Sequence, residues 1–103
     1  MKAYVLYYDD FAEFEVIIAI GNVATLGDRK GEVIAVAAEH RPYISEEKQK
    51  FLPDITIDRV HPDDVDVFII PGGRFDTVID NPYLIRLLKE LDRRNKLIAA
   101  ICG

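Results

Sequence analysis

One cysteine, a pair of consecutive glycines and one glutamate carry the chemistry this sequence offers. Cys102 ends the apolar run Leu97-Ile98-Ala99-Ala100-Ile101 and is followed by Gly103. An apolar strand that delivers a nucleophilic residue and then a glycine is how a strand-to-helix elbow begins. The turn thrusts the side chain out of the sheet, and small neighbours avoid a clash. A thiol opening a helix also meets amide donors and positive potential, both of which favour thiolate. The alternative for Cys102 is structural, because free cysteine is among the most buried residue types and packs as a small hydrophobe.

The glycine pair lies in Pro71-Gly72-Gly73-Arg74. It reads either as a turn that needs positive φ angles or as a bare backbone whose amides can approach a ligand or an oxyanion. It lacks the GxxxxGK[ST] spacing and the lysine of a phosphate loop. Arg74 is suited to bind a substrate carboxylate or to pair with Asp76. Glu15 is a first-turn acid that complements the helix dipole. Phe14 and Val16 flank it on an otherwise apolar helix, so it can also aim at the rim formed by the strand ends. Glu13 is read as its solvated neighbour, and Asp9-Asp10 as loop or capping residues. His40 and His61 lie in loop-like polar segments and read as surface residues. Neither has metal-ligand spacing with Cys102, and no cofactor is expected.

These groups need a scaffold, and the hydrophobic pattern supplies one. The near-continuous apolar runs over 3–8, 32–38, 67–70 and 97–101 suit parallel strands buried on both faces. Between the first two, Val16, Ile17, Ile20, Val23 and Ala24 follow helical spacing over 13–26, with Gly27 as the stop. Segment 40–60 is punctuated by Pro42, Ser45 and Pro53-Asp54, and reads as small hairpin-like pieces with short strands near Phe51 and 55–57. His61-Pro62-Asp63-Asp64-Val65 suggests one helical turn. Asn81-Pro82 opens a helix whose stripe is Tyr83, Leu84, Leu87, Leu88 and Leu91. Alternating strands and helices imply an α/β three-layer sandwich around a mostly parallel sheet. In such sheets ligands bind at the carboxyl ends of the strands, where strand order reverses. Asp9-Asp10, Pro71–Arg74 and Cys102-Gly103 all follow strand ends and so share one rim.

Composition narrows the partners. The 103 residues read as a single domain spanning 1–103. The net charge of −5 and the lack of clustered Lys and Arg argue against nucleic acid. One cysteine cannot form an internal disulfide, which fits a reducing compartment. The apolar run after Met1-Lys2 is too short for a signal peptide or a membrane span, so a cytoplasmic location without membrane association is the expectation.

With these residues in hand, the chain resembles the DJ-1/PfpI (ThiJ/PfpI) superfamily. The resemblance rests on the opening strand, on Asp10-Phe11-Ala12-Glu13-Phe14-Glu15-Val16, on Val67-Phe68-Ile69-Ile70-Pro71-Gly72-Gly73-Arg74, and on Leu97-Ile98-Ala99-Ala100-Ile101-Cys102-Gly103. It implies a flavodoxin-like sheet of the class I glutamine amidotransferase-like type, and assembly as a homodimer or larger oligomer. It also implies that Cys102 is the reactive elbow cysteine and that Glu15 hydrogen-bonds it. By the same resemblance Gly73 and Gly103 supply the oxyanion-hole amides, with Gly72 and Arg74 beside the substrate. The peptidase branch carries histidine directly after the cysteine, where this chain has Gly103. A Cys–His dyad would then need a histidine from a later segment or a partner subunit. Family domains continue through the elbow helix and further strands, so the chain reads as the N-terminal portion of a longer domain.

The leading expectation is a cysteine-dependent hydrolase- or lyase-type enzyme acting on a small carbonyl or amide-like molecule, in the manner of a glyoxalase, deglycase or hydratase. The competing expectations are a redox sensor or stress-protective protein working through Cys102 oxidation, a PfpI-type protease or amidase, and a non-catalytic member with a vestigial pocket.

Overall fold

The computed structural model describes residues 2–12, 16–17, 21 and 31–101. Its strands are β1 (Lys2–Leu6), β2 (Glu32–Ala37), β3 (Tyr43–Ile44), β4 (Lys50–Phe51), β5 (Ile55–Thr56), β6 (Val67–Ile70) and β7 (Leu97–Ala100). Five of them form one sheet in the order β5-β2-β1-β6-β7, and every pairing in it is parallel. The chain builds outward from β1 to β2 and β5, then crosses back to β6 on the other side of β1. Strand order therefore reverses between β1 and β6, the position at which open α/β sheets hold their ligands.

Burial explains the apolar runs. Ala3, Val5 and Leu6 of β1 and Phe68 of β6 are wholly excluded from solvent, as expected for central strands covered on both faces. Helix α1 (Pro82–Arg93) covers part of this sheet with Leu84, Leu87 and Leu91. Their spacing of three and four residues makes one stripe, and each buried leucine contributes about 1.5–3 kcal/mol of transfer free energy. The Asn81 side chain caps the helix by accepting from the amides of Tyr83 at 2.9 Å and Leu84 at 3.1 Å, with Pro82 as the first helical residue. Asn95 ends it in the left-handed region at φ 57°. Arg94 then ties this end to Asp63, within the 3-10 turn Pro62–Asp64.

Most of the expected helix over 13–26, including its stop at Gly27, lies outside the described residues. Val16, Ile17 and Gly21 within it are helical, and Val16 is fully buried. Segment 40–60 departs in part from the expectation of hairpin-like pieces. β3 and β4 do pair as an antiparallel hairpin, but β5 joins the main sheet in parallel beside β2. Asp54 explains the switch. Its amide donates to the Ala35 carbonyl at 2.8 Å, and its carboxylate accepts from the Ala35 amide at 2.8 Å. One residue thus occupies both hydrogen-bonding groups of Ala35 and delivers the chain into a parallel register. β7 also departs from the expectation of a buried strand: among the described residues Leu97 is 61% exposed and Ile98 and Ala99 are only half-buried. Among the described residues, α1 is the only element other than β6 that packs closely against it.

The N-terminal strand is pinned to the segment before β6 by charge. The Asp64 carboxylate accepts from the Tyr4 hydroxyl at 2.7 Å and from Lys2 Nζ at 3.0 Å. The Tyr4 hydroxyl, with Lys2 second, holds the Asp64 carboxyl below the usual value of 3.8. A carboxylate whose folded pKa is depressed contributes stability above its unfolded pKa, and that contribution is lost as pH falls through the folded one. Resistance to urea is therefore expected to decline as pH drops below about 4. Asp64→Asn is expected to flatten that decline, and unchanged acid sensitivity in the variant would contradict the assignment.

Candidate active site at the strand-order reversal

Two loops meet where strand order reverses. The first follows β1, and its residues Tyr7, Tyr8, Phe11 and Ala12 are all buried. The β3–β4 hairpin braces it from one side: the Asp10 amide donates to the Ile44 carbonyl and the Glu46 amide to the Phe11 carbonyl, both at 2.8 Å. Asp9 strengthens this contact by pairing with Arg41 at 2.9 Å, and Arg41 holds the Asp9 carboxyl below its ordinary range. Rings complete the brace. Tyr7 stacks on Phe11 with centroids 5.1 Å apart, and Phe51 of β4 meets Phe11 edge-on at 5.1 Å.

On its other side the β1 loop meets the turn Pro71-Gly72-Gly73. Phe11 and Gly73 form an antiparallel bridge, and the Ala12 amide donates to the Gly72 carbonyl at 2.9 Å. Gly73 has φ 133°, a region L-residues rarely adopt. A Cβ built there would lie 2.4 Å from the Asp10 carbonyl oxygen and 2.9 Å from Phe11 Cα. The glycine is therefore required twice, by its dihedral angle and by the approach of the neighbouring backbone. Of the two readings of the glycine pair, the positive-φ turn is realised at Gly73.

The turn's carbonyls are all engaged. Pro71 accepts from the Tyr8 hydroxyl, Gly72 from the Ala12 amide, and Gly73 from the Phe75 amide. Among the described residues, neither the Gly72 nor the Gly73 amide donates to a carbonyl or a side chain. Both glycines line a cleft of about 290 Å³ together with Ile70, Pro71, Phe75, Ala100 and Ile101. Ile101 is fixed there by its own amide, which donates to the Ile70 carbonyl at 2.9 Å. The cleft is thus lined by two glycines whose amides are unengaged among the described residues and by mostly apolar neighbours, a setting in which an amide turned inward would hold a developing negative charge strongly.

Of the residues singled out from the sequence, Gly72 and Gly73 come together in this cleft. Arg74 is turned to Asp76, with Nε 3.2 Å from the carboxylate, and the pair is about two-thirds exposed. Glu15, Cys102 and Gly103 lie outside the described residues. His40 and His61 are exposed, as expected. Tyr8 and Phe75 were not singled out. Tyr8 reads as one more apolar residue of the first strand, and only its place at the strand end, followed by Asp9-Asp10, signals that its hydroxyl needs a partner.

Among the described residues no helix is long and apolar enough to cross a membrane. The sequence model of the DJ-1/PfpI family matches residues 1–103. A deglycase of Thermococcus kodakarensis is 27% identical over 104 residues, which cover 99% of this chain and 60% of the deglycase. DJ-1beta of Drosophila melanogaster superposes with a TM-score of 0.86 at 26% identity, over 99% of this chain and 55% of that one. Toxoplasma gondii DJ-1 in an oxidised form superposes with a TM-score of 0.85 at 28% identity, over 98% of this chain and 55% of that one. The chain thus spans little more than half the length of these relatives.

Proposed function

The chain belongs to the DJ-1/PfpI family, and from that premise we propose that it works as a cysteine-dependent enzyme on a small carbonyl compound. One observation carries the reading. Gly72 and Gly73, whose amides are unengaged among the described residues, line a cleft that also includes Ile101, the residue before Cys102. In the proposed chemistry the Cys102 thiolate adds to the carbonyl carbon and moves an electron pair onto oxygen. The amides of Gly73 and Gly103 stabilise that oxyanion. Glu15 carries a proton from the attacked carbon to the adjacent carbonyl carbon to leave a thioester, and water hydrolyses the thioester to release the hydroxy acid and the free thiol. Gly72 adds a further amide beside the substrate. Arg74, held by Asp76, stands near the rim for a substrate that carries a carboxylate.

One feature favours a small carbonyl compound over a peptide: Gly103 stands where a Cys–His peptidase of this family would carry histidine. The deglycase relative adds support for carbonyl chemistry. Methylglyoxal tests the proposal: the purified protein is expected to consume it with saturable kinetics and release lactate. Glu15→Gln is expected to lower kcat and shift its pH profile. Absence of turnover by the parent protein would overturn the proposal.

A second reading has the oxidised Toxoplasma relative in its favour. In it Cys102 is a sensor thiol that climbs to sulfinate, stabilised by Glu15. Mass spectrometry after mild peroxide is expected to show the added oxygens on Cys102, and a thiol that stays reduced would exclude this role.

A further inference from the structure

The geometry points to Tyr8 as a positioning residue for the Gly72 amide, which joins that of Gly73 as a donor to the oxyanion, an inference that rests on the carbonyl-enzyme reading above. A peptide unit is planar, so the C=O of one residue and the N–H of the next are opposite ends of one rigid plate. Whatever holds the Pro71 carbonyl therefore sets the direction of the Gly72 amide. The Tyr8 hydroxyl donates to that carbonyl. Tyr8 is 1% exposed and Pro71 is among the fully buried residues, so water is poorly placed to substitute. The next plate is held in the same way, since the Ala12 amide donates to the Gly72 carbonyl at 2.9 Å and so aims the Gly73 amide.

Tyr8 also supports the cleft wall. Its ring meets Phe75 edge-on, with centroids 5.8 Å apart, and Phe75 lines the cleft. The residue thus contributes a ring that packs and a hydroxyl that orients, and Tyr8→Phe removes only the second. Ala12 acts through its backbone N–H, which only proline would delete, and proline also fixes the local dihedral angle. Among the described residues, Tyr8 supplies the only side chain that hydrogen-bonds the carbonyls of Pro71, Gly72 or Gly73.

The test compares Tyr8→Phe with Tyr43→Phe in the whole protein. Tyr43 is an apt control: it is 3% exposed, and its hydroxyl accepts from the Glu39 amide at 2.9 Å, so its loss also removes a buried hydroxyl contact but leaves the turn untouched. Tyr8→Phe is expected to lower kcat for methylglyoxal by about 10- to 100-fold with KM within about twofold, while Tyr43→Phe keeps the parent kcat. Alkylation of Cys102 by iodoacetamide separates positioning from general damage. That reaction displaces iodide at a saturated carbon and forms no oxyanion, so its rate is expected to be the same in Tyr8→Phe and the parent. Equal kcat in Tyr8→Phe and parent, or an alkylation rate that falls along with kcat, would overturn the inference. A parent without turnover would overturn the carbonyl reading alone. The amide NMR signals of Gly72 and Gly73 then decide the inference: they are expected to shift and exchange faster in Tyr8→Phe but not in Tyr43→Phe. Unmoved signals in Tyr8→Phe would overturn it.

Discussion

Gly73→Ala is expected to cost about 4 kcal/mol of stability and to abolish turnover together with it. The dihedral angle φ of 133° is closed to alanine without strain, which is of order 1–3 kcal/mol. Its new methyl would lie 2.4 Å from the Asp10 carbonyl oxygen, a backbone atom rather than the end of a flexible side chain. That carbonyl cannot step aside, because the Asp10 amide and the Phe11 carbonyl are hydrogen-bonded to the β3–β4 hairpin. The strain must separate the two loops, and with them the Ala12–Gly72 hydrogen bond that orients the Gly73 amide. Urea unfolding measures the first effect and methylglyoxal turnover the second. A variant with parent stability would show that the two loops do not meet as described.

Cys102→Ala is expected to lower kcat/KM for methylglyoxal by at least about a thousandfold, because covalent catalysis has no substitute once the nucleophile is removed. The amides of the Gly72-Gly73 turn remain in this variant, so binding of the substrate is expected to survive while chemistry stops. This separates it from Gly73→Ala, in which fold and activity fail together. The cooperative urea transition of Cys102→Ala is expected to persist. Turnover close to that of the parent would remove the thiol from the mechanism.

Particular residues show how far the sequence could be read. The buried strands announced themselves because central parallel strands must be apolar throughout: β1 and β6 lie where the runs through Val5 and Phe68 indicate. Helix α1 was legible from Asn81-Pro82 and the leucine stripe, since cap and stripe are local chemistry. Family membership was legible from the paired glycine-turn and cysteine motifs.

What resisted reading depends on contacts between segments far apart in the chain. β5 looks like part of a hairpin until Asp54 is seen to take both hydrogen-bonding groups of Ala35, nineteen positions earlier in the chain. The burial of β7 was inferred from its composition alone, but a strand is buried only by what packs on it, and among the described residues half of its positions are exposed. Ser45 reads as loop punctuation, yet it is wholly buried, and its hydroxyl accepts from the Gln49 amide at 3.1 Å. In the site itself the glycine pair was recognisable by type. Tyr8 was not, because its role lies in a hydroxyl that reaches a carbonyl 63 positions away.

The central claim is that Cys102 is an activated thiol beside a backbone that binds oxyanions. The pH dependence of its alkylation by iodoacetamide tests this most directly, since the rate follows the thiolate fraction. An apparent pKa clearly below the free-cysteine value of about 8.5 is predicted, moving upward in Glu15→Gln. A value at or above about 8.5 in the parent would contradict the claim and return Cys102 to the role of a small packed side chain.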